Sequence, residues 1–204
     1  MTTLDARVWD VDDRPYHHGR LRAVLLAEAE RTLREHGIER LSLRDLARQA
    51  GVSHGAPRRH FADRQALLDA LAEVGFARLG AEVCAAIDDA AEDYPARLHA
   101  AATAYLRFAT HDAALLELMF TAKNVEQSTA LRDASARLFT TFGDLIRQAQ
   151  QAGALPPGDP ERLRLLLAAT LQGIAALVTS GRAHPGQTDA LVTDAVALFT
   201  RSRR

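Results

Sequence analysis

The chain has 204 residues, enough for one large or two small cores. Apolar residues make up 48 % and aromatics only 5 %, so alanine, leucine and valine must carry the packing, and their helix preference with few β-branched runs predicts an all-α chain. A single cysteine, Cys84, excludes an internal disulfide framework and fits a reducing compartment; it reads as a small buried apolar residue.

No apolar run reaches the ~18 residues of a membrane span and the N-terminus lacks a signal-peptide core, so a cytoplasmic protein without a membrane partner is expected. The net charge of −1 is unevenly spread. Ten arginines face six acids between His17 and Arg64, a local +4 that leaves −5 for the rest of the chain. A basic N-terminal third on an acidic body points to one region that meets polyanions. Lys123 is the one lysine among 25 cationic residues, so the arginine bias also fits a GC-rich genome.

Residues 1–15 are polar and aperiodic and read as a flexible arm. A first helix follows from about Arg20 to His36, with Leu21, Val24, Leu25, Ala29 and Leu33 at helical spacing and Gly37 to end it. Ser42 caps a second helix with Asp45 three positions on, in a variant capping box. Gly51 turns the chain. Ser53 is placed to cap a third helix ending near His60-Phe61, and Asp63 caps a long fourth helix to about Ala91. Tyr94-Pro95 opens a helix to His111, residues 113–122 form a short one, and 126–152 a long one ended by Gly153 and Pro156-Pro157-Gly158. Asp159-Pro160 is a cap with proline at the first helical position, opening a helix to about Ser180. Residues 187–201 form the last of nine.

Within Leu41–Arg64 two short helices meet across a tight turn, the pattern of a helix-turn-helix. Their crossing wants a small residue, supplied by Ala47, and the turn wants a residue tolerant of positive φ, supplied by Gly51. Leu46, Val52 and Phe61 are the apolar pegs. The outward face then offers Ser53, His54, Arg58, Arg59 and His60, with arginine suited to guanine edges and serine or histidine to phosphates or base edges. Arg64 is placed to reach a backbone phosphate beside a helix N-terminus. His17 and His18 enter the first helix either as phosphate or minor-groove contacts or as solvated caps.

The unbroken stretch Tyr16–Leu71, with its YHHG lead-in, the Gly37 turn, the SLRDLARQAGVS block and the closing HFADR, resembles the N-terminal domain of TetR-type transcriptional regulators. AYLRFATHDAALLELMF and ATLQGIAALVTSG are similar to the C-terminal domain of the TetR subgroup named for a Trp-His-Gly motif, although Ala168 and Gln172 replace its Trp and His and only Gly173 remains. The resemblance implies a nine-helix TetR-like architecture divided into the arm 1–15, a DNA-binding domain 16–63 and a ligand-binding and dimerisation domain 64–204. It implies DNA contacts from Ser42, Arg44, Ser53, His54, Arg58, Arg59, His60, Arg64, His18 and Arg20. It further implies a homodimer through the last two helices, with Leu163, Leu166, Leu167, Leu171, Ile174 and Leu177 on one and Leu191, Val192, Ala195 and Phe199 on the other supplying a stripe that by itself more often marks an intramolecular core.

The sequence departs from the family where Arg58 replaces the usual phosphate-contacting aromatic. Pro57 fills an inward apolar slot and forfeits a hydrogen bond to Ser53, so a tight or irregular start to the third helix is expected. Tyr105, Phe108, Met119, Phe120, Phe139 and Phe142, with Gln172 as polar anchor, could line a cavity for a small-molecule effector or be ordinary core. His99, His111, Asp112, Glu117 and His184 match no metal or nucleophile spacing, and no phosphate loop occurs, so neither an enzyme nor a bound metal or cofactor is expected. The leading expectation is an effector-released repressor bound to a double-stranded operator. The alternative is a dimeric helical adaptor of the same fold without specific DNA binding.

Overall fold

Local capping signals set most of the helix boundaries. The Ser42 hydroxyl accepts from Asp45 N–H, the Asp63 carboxylate from Ala66 N–H, the Asp93 carboxylate from Ala96 N–H and the Asp159 carboxylate from Glu161 N–H, each satisfying a donor that a helix start leaves open. The computed structural model describes residues 17–121 and 128–200. Eight α-helices occur among them: α1 His17–His36, α2 Leu43–Gln49, α3 Arg64–Asp89, α4 Tyr94–His111, α5 Ala113–Thr121, α6 Thr129–Gln151, α7 Pro160–Thr179 and α8 Thr188–Thr200. Short 3₁₀ turns lie at Ile38–Arg40, Pro57–Arg59 and Pro185–Gln187, and no strand occurs among the described residues. The arm at 1–15, Tyr16 and the side chain of His18 lie outside the described residues, although His18 itself stands in the first turn of α1.

The third expected helix is absent as an α-helix, which corrects the count of nine. Ser53 caps nothing; its carbonyl instead accepts from Ala56 N–H at 2.9 Å in a turn. Ala56 then opens the 3₁₀ turn with no side-chain cap, and Pro57, buried, brings no N–H. Gly55 weakens the preceding turn as a helix start, and a proline at the first position leaves only five residues before Asp63 begins the next cap. The irregular start expected from Pro57 therefore extends to the whole element.

α3 is the axle of the molecule. It packs on α1 near its beginning and on α4, α5 and α6 along its length, while α4 also meets α7 and α8. Phe76, Leu79 and Val83 on α3, Leu106 and Phe108 on α4, and Leu131 and Ile146 on α6 are almost fully buried in one continuous core. Gly75 permits the close approach of α5: a Cβ there would stand 2.7 Å from Met119 Sδ and 3.2 Å from Leu115 Cγ.

Two expectations about single residues or helices need correcting. Cys84 is exposed, on the face of α3 turned to α6, with its Sγ 3.9 Å from Thr141 Oγ1. α7 is long and apolar enough, by length and composition alone, to cross a membrane. Its inner side nevertheless belongs to the protein core, since Leu167, Leu171, Ile174 and Val178 are buried.

Candidate nucleic-acid interface and core cavity

The N-terminal head is built around Ala47, fully buried where α2 crosses its neighbours. Ala50 N–H reaches Leu46 O, Val52 N–H reaches Ala47 O, and Gly51 turns the chain at φ +67°, the left-handed conformation foreseen for it. Phe61 seals the far side of the turn at 2 % exposure, and the Arg22 guanidinium of α1 lies 5.6 Å above its ring. His60 N–H and Phe61 N–H both donate to Pro57 O at 2.9 Å, so the short turn is tied at its base.

With Pro57 held inward, Arg58 and Arg59 are both exposed, as are Ser53 and His54 on the loop before them and Arg44 on α2. In a 3₁₀ turn successive side chains diverge by a third of a turn, so Arg58 and Arg59 leave the surface in different directions. Arg44, Arg58 and Arg59 form no ion pair among the described residues. Arg20 is likewise exposed in the first turn of α1, and His60 is half-buried below the turn. Arg44, Ser53, His54, Arg58 and Arg59 are thus exposed on α2, the loop and the 3₁₀ turn, and α2 and that turn pack on each other.

Two expected contact residues are committed elsewhere. The Ser42 hydroxyl accepts from Asp45 N–H at 3.1 Å and donates to Asp45 Oδ2 at 2.6 Å, which uses it as a cap. That donated bond, with Arg48, Arg44 and Arg40 around it, holds the Asp45 carboxyl below the usual carboxylate range. Arg64 folds back to donate from Nε to Leu41 O at 2.9 Å and from a terminal nitrogen to Ile38 O at 2.6 Å. It staples the start of α3 to the turn before α2, a bracing role that sequence chemistry alone could not distinguish from a phosphate contact.

Sequence reasoning missed a junction behind this head. Glu30 and Arg34 of α1, Arg78 of α3 and Asp112 at the start of α5 form a closed network: Arg34–Asp112 at 2.8 Å, Arg34–Glu30 at 3.0 Å, Arg78–Glu30 at 2.8 Å and Arg78–Asp112 at 3.0 Å. Arg78 also lies 5.0 Å over the Phe108 ring. The Asp112 hydrogen bond raises the pKa of Arg34 against the opposing effect of burial. Only Glu30 and Arg34 are neighbours in the chain, four positions apart on α1; Arg78 and Asp112 come from far away, and nothing in local spacing announces that they join.

In the body, a small cavity of about 30 Å³ lies between α4, α6 and α7. Five of the seven expected lining residues meet there: Tyr105, Phe120, Phe139, Phe142 and Gln172. Phe108 and Met119 do not; they are core residues, packed against Arg78 and Gly75. Leu138 of α6 and Arg164, Leu167, Ala168 and Leu171 of α7 complete the lining and were missed. Tyr105 is 5 % exposed, and its hydroxyl finds no well-formed hydrogen bond among the described residues. Burial pushes its pKa up to about 12, with the nearby Gln172 amide offsetting only part of the rise, so the hydroxyl keeps its proton near neutral pH.

The expected dimer stripe is also redistributed. Leu167, Leu171, Ile174 and Ala195 are buried within the chain, and Leu163, Leu191 and Phe199 are half-buried. The opposite side of α7 presents Leu165, Leu166 and Leu177 at 60, 49 and 42 % exposure, with exposed Ala169, Gly173 and Ala176 between them, and Leu198 of α8 stands at 71 %. No group of three metal-ligating side chains occurs among the described residues.

Residues 98–199 match the family described as tetracyclin repressor-like, C-terminal domain, and residues 25–71 match bacterial regulatory proteins, tetR family. The chain belongs to the TetR family. A solved structure from Rhodococcus sp. RHA1, described as a protein with unknown function, is similar at 43 % identity and TM-score 0.84 over 93 % of this chain and 100 % of that one. A bacterial regulatory protein in the tetR family, also from Rhodococcus RHA1, shares the fold at 20 % identity and TM-score 0.73, covering 90 % and 98 % of the two chains. A search among curated proteins found no match. TetR-family members are DNA-binding transcriptional regulators and not enzymes, and this chain carries the family's helix-turn-helix region.

Proposed function

We propose that this TetR-family chain is a cytoplasmic homodimeric repressor that leaves its operator when a small molecule occupies the body. Residues 16–63 form the DNA-reading head and 64–204 the effector and dimer body. Arg44, Ser53, His54, Arg58 and Arg59 meet the operator, with Arg20, His18 and His60 at its margin. The observation that carries this reading is the set of exposed, unpaired arginines around buried Pro57 and Phe61. Two such heads, set by a two-fold axis, would enter successive major grooves of a pseudo-palindromic site. The exposed leucines of α7 and α8 supply a self-complementary apolar face for that axis.

Release requires an effector that binds the two states of the body unequally. α3 gives it a route, since one helix begins under the head, carries Arg78 to the junction and continues beside the core. The shortened recognition element favours a second reading, a dimeric adaptor of the same fold that no longer binds specific DNA. A gel shift of the protein on the DNA upstream of its own gene, paired with sedimentation of the same sample, separates the two. Retarded DNA that resists unrelated competitor supports the repressor. Intact dimers with no retardation at low salt establish the adaptor and end the first reading.

A further inference from the structure

The body cavity contains more chemistry than its size suggests. Phe120 and Phe139 meet at 6.4 Å with a 59° tilt, and Phe142 joins them to make a flat-walled apolar box. Tyr105 lines this box, 95 % buried, with its hydroxyl beside the Gln172 amide and without a well-formed hydrogen bond. A buried hydroxyl whose one polar neighbour, the Gln172 amide, gives it no well-formed bond is costly to keep, and a ligand oxygen placed there would satisfy it. At the other side the Arg164 guanidinium lies 5.1 Å over the Phe139 ring, with its side chain only 17 % exposed.

Arg164 is neutralised by Glu161 at 2.8 Å, but that carboxylate is 59 % exposed. An ion pair with one partner mostly in water contributes little, so a ligand carboxylate can replace Glu161 while Glu161 returns to solvent. The exchange leaves the local charge balance unchanged and adds a charge-assisted bond from the Tyr105 hydroxyl. A cation would meet Arg164, and a wholly apolar molecule would leave the hydroxyl unanswered.

At about 30 Å³ the space holds one or two waters, so its walls must part for a ligand. Phe120 and Gln172 are the wall residues able to do this, because both also line an open groove of about 510 Å³ between α5 and α7. We infer that the cavity takes a compact monocarboxylate with a flat apolar body, seated among Phe120, Phe139 and Phe142 with its oxygens on Tyr105 and Arg164. It enters from the α5–α7 groove past Phe120 and Gln172. This inference rests on the proposed effector role of the body and gives that effector its chemical class.

The test is calorimetric titration of the full-length protein with benzoate and with its neutral isostere benzamide. Benzoate is expected to bind about tenfold or more tightly than benzamide, the worth of one charge-assisted contact. Tyr105→Phe should weaken benzoate about tenfold. Arg164→Met should abolish the preference for the acid, and Ala168→Phe, which fills the cavity, should abolish both. Melting curves confirm that each variant folds, and Tyr105→Phe, being nearly isosteric, keeps the test decisive where Ala168→Phe fails to fold. Equal binding of acid and amide, or no benzoate binding at about 10 mM, or an acid preference that survives Arg164→Met, overturns the inference. Retardation of upstream DNA by the same preparation tells its failure from failure of the regulator reading: DNA bound without benzoate bound rejects only the ligand class.

Discussion

The arginines of the head tip and those of the junction are the same residue type doing opposite things. At the tip, Arg44, Arg58 and Arg59 are exposed and form no ion pair among the described residues. A few turns away Arg34 and Arg78 share Glu30 and Asp112 in a four-membered network, and Arg64 is spent on two carbonyls. Engaged guanidiniums fix how α1, α3 and α5 sit together. Unengaged ones keep their charge available, at no cost in broken contacts, for a polyanion that approaches the tip.

Breaking that contrast should show first in DNA affinity. Arg58→Ala and Arg59→Ala are each expected to weaken operator binding by about 1–3 kcal/mol if they read bases, measured by fluorescence anisotropy, while stability stays within about 0.5 kcal/mol. Arg78→Met should do the reverse. It leaves Glu30 and Asp112, both largely buried, with Arg34 alone, and should cost about 1–3 kcal/mol in denaturant unfolding. Arg64→Met follows at about 1–2 kcal/mol of stability from two lost hydrogen bonds. Its effect on DNA should be equal for all sequences, through a loosened α2; a loss at one base position would restore Arg64 as a contact.

The smallest effect concerns pH. Asp45 is held below its ordinary pKa chiefly by the Ser42 hydroxyl. Its stabilising share is therefore present above the unfolded carboxylate pKa and is lost as pH falls through the lowered folded value. Amide exchange in α2 should speed up in acid, and Asp45→Asn should flatten that dependence.

Eight of the helices were legible because their starts and stops are local chemistry: Ser42, Asp63, Asp159-Pro160, Gly37 and Gly153 each act on neighbouring backbone. The ninth failed at the same level, since Ser53 signals a cap while Gly55 and Pro57 oppose the helix that would follow it. α7 failed differently. It is apolar nearly all round, and periodicity cannot say which side meets its own core, so one expected stripe holds Leu167 and Leu171, which are buried, together with Leu166 and Leu177, which are exposed. In the candidate site, Arg58, singled out by residue chemistry, lies exposed on the turn, and Tyr105 lines the cavity. Residue chemistry could not see the commitments of Ser42 and Arg64, or the junction of Glu30, Arg34, Arg78 and Asp112, because tertiary contacts decide them.

The central claim is that the shortened turn at Pro57–Arg59 still reads DNA, through charges the fold leaves open. Its most direct test is the salt dependence of affinity for the upstream DNA, comparing the unaltered chain with the Arg58→Ala/Arg59→Ala double variant. The account predicts salt-dependent binding whose log–log slope falls by about one to two in the double variant, with an unchanged melting temperature. A folded double variant with the same affinity and the same slope would contradict it.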